Sequence, residues 1–139
     1  MNRVPATFVV LVGSVVLAFT LRVQYPVVFP LNGATLGTML VLALLTIVMW
    51  GLSAALTVKG VRKFGLDAEA NQRVREAIRQ GKTANLLLQN AVMTVLVFFS
   101  SAGLSIVYSS EIFALPIIAL LAVSAVDVLN DALVISGFR

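Results

Sequence analysis

The sequence predicts an all-α integral membrane protein: four transmembrane helices in an up-and-down bundle, with a cytoplasmic amphipathic helical loop between helices 2 and 3. Three observations lead there. The chain is 60% apolar and only 12% charged, against roughly 45–50% and about 25% in average soluble domains. Its charges are clumped, with none in residues 23–58 and none in residues 83–110. Its basic residues gather in one segment, 59–82. A soluble globule of 139 residues has too little interior to hide such runs, whereas a bilayer accepts about 20 apolar residues per crossing. Low hydrophobicity is what keeps chains disordered, so disorder is excluded as well.

Taken in order, the first span covers residues 4–21. Pro5 suits an opening helical turn, and Arg22 marks the far interface. The apolar run lacks a clear small-x-small cleavage pattern, so it reads as a retained anchor. Residues 24–33, QYPVVFPLNG, read as an extended loop along the membrane surface. Pro26 and Pro30 disfavour helix there, and Tyr25 and Phe29 suit the headgroup level. The second span covers residues 36–58, with Trp50 and Gly51 in its inner half. The third covers residues 83–108, where Thr83 caps the start. Ser109, Ser110 and Glu111 form a short turn before the fourth span, residues 112–135. Pro116 either kinks that helix or sits harmlessly in its first turns. The whole chain, residues 1–139, is one polytopic membrane domain.

Orientation follows from the basic residues. Lys59, Arg62, Lys63, Arg73, Arg75, Arg79 and Lys82 form a membrane-surface basic loop between spans two and three. Four spans put Arg3 and Arg139 on that same side, leaving only Arg22 on the other. The positive-inside rule makes the loop side cytoplasmic, with both termini inside. Within the loop, Asp67 caps a helix over residues 68–80 that Gly81 ends. Ala70, Val74, Ala77 and Ile78 share its apolar stripe, and Glu69–Arg73 and Glu76–Arg79 are helix-spaced opposite charges. The loop reads as an interfacial connector whose arginines hold the topology. Nothing in it points to nucleic acid; the partners implied are the lipid bilayer and other membrane subunits.

One polar constellation lies inside the spans. Asp127 and Asp131 are four apart on one helix face, with Asn130 beside that stripe. Asp131 falls ~6 Å and Asp127 ~12 Å inside the cytoplasmic boundary, so Asp131 reaches headgroup water and Asp127 needs protein or water around it. At matching depths span three offers Asn85 (~3 Å), Gln89 (~9 Å) and Asn90 (~10.5 Å). Ser14, Trp50 and Ser53 stand at comparable heights, and Lys82 and Arg79 at the mouth. Such a cluster either pairs helices as polar glue or carries a proton or cation. The outer half of span four, residues 112–122, is apolar, so no polar file crosses the membrane. The expectation is therefore a non-enzymatic structural or accessory subunit of a larger membrane assembly, cellular or viral. The alternative is a homo-oligomeric ion or proton channel, transporter or holin-like permeabiliser using Asp127.

Other chemistry finds little support in the residues. The chain has no Cys and no His, which excludes thiolate and imidazole metal ligation. No nucleophile has a base at motif spacing and no phosphate-cradling Gly pattern occurs, so the expectation is no enzyme and no cofactor. Ser101-x-x-x-Ser105 and Gly51-x-x-x-Ala55 are small-residue pairs that let helices approach. Phe98 and Phe99 read as packing or lipid-facing side chains. Arg22 and Gly37-Thr38 are similar to features of small four-span fluoride channels. The second-helix Asn of those channels is missing, however, and VFFSSAG at residues 97–103 departs from their Thr-rich Phe motif, so no membership follows.

Overall fold

The computed structural model describes residues 3–26, 29–69 and 72–137. Five α-helices follow in order: α1 (Arg3–Gln24), α2 (Gly33–Phe64), α3 (Gln72–Arg79), α4 (Thr83–Val107) and α5 (Leu115–Ser136). Short 3-10 turns occupy Leu66–Ala68 and Glu111–Ala114. α1, α2, α4 and α5 are each long and apolar enough to cross a membrane, and they run up and down. α2 packs most extensively on α5 and then on α4, while α1 packs chiefly on α5.

The distribution of polar and apolar residues runs inside out. Buried positions on the long helices include Thr35, Thr46, Ser53, Thr94, Ser101, Ser105 and Ser124, while Phe8, Val9, Val48, Leu96, Phe99 and Leu129 are exposed. A water-soluble bundle turns its apolar stripe inward. Here close packing relies on small side chains, as in helix pairs that meet within lipid. Three of these hydroxyls are satisfied within their own helices: Thr46 donates to Leu42 O at 2.8 Å, Thr94 to Asn90 O at 2.8 Å and Ser124 to Leu121 O at 2.8 Å. Such back-bonding lets a hydroxyl sit at an apolar interface without an unpaired donor.

Several boundaries differ from the sequence-based expectation. α2 begins at Gly33 rather than residue 36, because Asn32 caps it: Asn32 Oδ1 accepts from the backbone N–H of Ala34 and of Thr35, both at 3.0 Å. It also continues to Phe64, about 48 Å of helix, so its last turns outrun a ~30 Å apolar core. Those turns carry Lys59, Arg62 and Lys63, all exposed. Lys63 Nζ donates to Ile135 O at 3.0 Å, placing a cation on the carbonyl end of α5. Thr83 is the first residue of α4 and not its cap; Lys82 holds the cap position without a side-chain bond. Pro116 sits in the first turn of α5, where its missing N–H costs nothing. Gly51 is not a close-approach point, since a Cβ there meets nothing within 4 Å; Gly60 is, with Ile135 at 3.6 Å. Ser101 and Ser105 are buried as that spacing implies.

The 59–82 loop is less regular than one helix over 68–80. Asp67 belongs to the 3-10 turn, α3 starts only at Gln72, and Arg75 reaches back to Asp67 at 3.8 Å. The end of α3 is as expected. Gly81 takes φ +67, with Lys82 N–H on Ala77 O at 2.7 Å and Gly81 N–H on Ile78 O at 3.1 Å, a Schellman pattern. α4 ends the same way, with Ser109 (φ 48) in the left-handed position usually given to glycine. Ala70, Arg139 and the side chains of Arg3 and Arg73 lie outside the described residues, and with them the Glu69–Arg73 pairing.

On the side away from the 59–82 loop, the 24–33 segment is tied down by its neighbours. Pro30 and Ser110 form an antiparallel bridge, Leu31 N–H donates to Ser109 O at 3.1 Å, and Glu111 N–H donates to Phe29 O at 3.2 Å. Glu111 accepts from Asn32 Nδ2 at 3.2 Å and from Thr35 Oγ1 at 3.3 Å. Arg22 donates to the carbonyls of Pro26 and Tyr108. Beneath this strap, Phe19, Tyr108 and Phe113 stack edge and tilt, centroids 5.0–5.5 Å apart. Below them Met39, Ala43 and Ile117 form a second buried cluster.

Candidate functional site

The loop-side half is built differently. α1 rests on α5 while α4 rests on α2, and between them opens a cavity of about 400 Å³. Its wall takes Thr7, Phe8 and Leu11 from α1, Trp50, Ser53 and Thr57 from α2, and Asp127 from α5. α4 adds Leu86, Gln89, Asn90 and Met93, and Glu69, Val74 and Ile78 close the loop end. Along α4 the wall reaches from Thr83 to Met93, about 15 Å, or half of a bilayer core.

The two aspartates of α5 have separate environments. Asp131 is 7% exposed, and its Oδ2 accepts from Ser53 Oγ at 2.8 Å and Thr57 Oγ1 at 2.9 Å. This corrects the expectation that Asp131 reaches headgroup water. The long α2 covers it, and two hydroxyls one turn apart on α2 stand in for solvent. Asp127 is half-buried, lies in the cavity wall with Gln89 and Asn90, and also interacts with protein neighbours. The deeper carboxylate is thus the cavity group, and the shallower one is the interhelical tie.

The remaining polar residues are scattered. Asn85 is exposed on α4, and Asn130 is half-buried with interactions of its own, outside the described cavity wall. Ser14 donates to Leu11 O at 2.7 Å within α1 and is not part of the wall. Arg79 borders a separate groove with Asp67, Arg75 and Glu76, and Lys82 is exposed. Among the described wall residues there is no Lys or Arg.

Sequence reasoning missed two contributors. Glu69, assigned to a surface ion pair, is 8% exposed and shares the cavity's loop end. Thr57 was not connected with Asp131, although Ser53 and Thr57 are four apart and so face one partner. Trp50, expected at the right height, is 7% exposed and its Nε1 has no hydrogen-bond partner. Most buried polar groups are paired; among the described residues Trp50 Nε1 shares this lack of a partner with Arg22 Nε and Arg75 Nε.

These features define a class: an up-and-down bundle of four long apolar helices with a carboxylate-bearing cavity in its loop-side half. No protein-family model, curated protein or solved structure matches the chain, so the functional reading rests on this geometry.

Proposed function

We propose that the chain is a multi-pass integral membrane protein that moves a proton or cation across the bilayer as a homo-oligomeric transporter or channel, with Asp127 as the working carboxylate. One observation carries the reading: Asp127 stands with Gln89 and Asn90 in the wall of a ~400 Å³ cavity. Polar glue wants closed contact, and Asp131 with Ser53 and Thr57 already supplies it. A carboxylate beside open volume within an apolar bundle suits charge transfer, because intramembrane ionisable groups are costly to keep. The cavity lies in the half nearest the 59–82 loop, with Glu69, Val74 and Ile78 at that end. The basic loop orients that side to the cytoplasm, together with both termini.

The test is reconstitution. Asp127→Asn keeps shape and hydrogen bonding but removes the titratable charge. Proton and alkali-cation flux into liposomes should fall at least tenfold while assembly size in mild detergent is unchanged. Retained flux in an intact variant defeats the reading. Reporter tags should place residues 70 and 139 in the cytoplasm and residues 30 and 110 outside. Residue 139 outside would overturn the four-span topology.

A second reading is a non-enzymatic accessory subunit of a larger membrane assembly. Its support is the Asp131–Ser53–Thr57 tie, in which polar side chains join α5 to α2. Copurification of the full chain in a stable heteromeric complex, without flux of its own, would favour it.

A further inference from the structure

The cavity is far larger than a bare ion requires. About 400 Å³ falls in the range of small-molecule sites, roughly 300–1,000 Å³, which are mostly apolar with a few placed polar groups. Phe8, Leu11, Leu86 and Met93 supply such an apolar wall. Two further observations define what fits. Trp50 lines the cavity, and its buried Nε1 has no hydrogen-bond partner. The ionisable residues of the described wall are Asp127 and Glu69, both acidic, in a chain of net charge +4.

We propose that this cavity binds an amphipathic organic cation: an apolar body, a hydrogen-bond acceptor that meets Trp50 Nε1, and an ammonium head at the Asp127 end. The inference rests on the transport reading and names its substrate class. Both carboxylates also interact with protein neighbours, so the ammonium joins an existing polar network. Phe8 is 67% exposed on α1, so the apolar wall continues onto the outer surface of the bundle. An amphiphile lying at the membrane interface enters by that route with its charged head toward the loop side.

The probe is benzoylcholine, which carries an aromatic body, an ester carbonyl and a quaternary ammonium. Its control is the uncharged carbon isostere, with a tert-butyl group in place of the trimethylammonium. Calorimetry on the full chain in lipid nanodiscs should show saturable binding of one benzoylcholine per chain, at least tenfold tighter than the isostere. Trp50 is the only tryptophan of the sequence, so its fluorescence should change over the same concentration range. Asp127→Asn should abolish the preference for the charged ester. Trp50→Phe should weaken both esters two- to tenfold, the value of one hydrogen bond. Ala54→Leu, which narrows the cavity from α2, should weaken both while helicity and assembly size stay unchanged. No saturable binding, equal affinity for the two esters, or an Asp127→Asn variant that keeps the preference would overturn the site. Asp127-dependent flux of inorganic cations without benzoylcholine binding defeats the site and leaves transport standing. Binding without any Asp127-dependent flux supports the site and defeats transport.

Discussion

The two ends of the bundle use polar residues in opposite ways. Away from the loop, polar groups of the strap join chain segments: Glu111 to Asn32 and Thr35, Arg22 to Pro26 and Tyr108, Ser110 to Phe29 O at 2.9 Å, while Arg22 Nε has no partner and a groove of about 430 Å³ runs beside Asn32, Thr35 and Glu111. Beneath them lie fully buried Phe113, Met39 and Ile117. Near the loop, Asp127, Glu69, Gln89 and Asn90 surround open volume, and Trp50 keeps an unpaired donor. The difference teaches that polarity inside an apolar bundle has no single meaning. At the strap it ties chain segments together, and near the loop it lines a cavity while keeping protein partners of its own.

Substitutions can break this contrast. Phe113→Ala should have the largest effect, a loss of about 3–5 kcal/mol, because a fully buried aromatic leaves a cavity in the packed end. Thermal unfolding in detergent measures it, and a change under about 1 kcal/mol would mean that this end is not the packed one. Asp131→Leu should cost about 1–3 kcal/mol by stripping Ser53 and Thr57 of their acceptor. Asp131→Asn should recover most of that loss, since its carbonyl oxygen still accepts.

Two smaller effects sharpen the comparison. Asn32→Ala removes the cap of α2 and one bond to Glu111, and about 1 kcal/mol of stability should go with it. A matched pair then tests free volume directly. Ala43→Leu, beside Met39 and Ile117, should overpack and cost about 1–3 kcal/mol. Ala54→Leu, in the cavity wall on the same helix, should stay within about 0.5 kcal/mol of wild type. Equal costs for the pair would remove the distinction between the two ends.

What the residues specified unaided was longitudinal. Long apolar runs marked the four long helices, two of them within charge-free stretches, and prolines and glycines marked where chain direction changes. Gly81 ended α3 where expected because a left-handed cap is a local demand. The misreadings were partly local too: Asn32 as a cap required recognising its side chain as an acceptor for the next turn, and α2 ran past its apolar segment through Lys59, Arg62 and Lys63.

Rotation about the helix axes was settled only by tertiary structure. In a soluble helix an apolar stripe identifies the inner face, but these helices are apolar all round, so periodicity carries little information about which way each side chain turns. Depth along α5 placed Asp131 near water, yet Ser53 and Thr57 of α2 cover it, contacts between residues 78 and 74 apart. The cavity likewise exists because α1 leans on α5 and leaves space beside α4. Such a gap is a property of how four similar surfaces choose partners, and that choice depends on packing between helices rather than on the composition of any one of them.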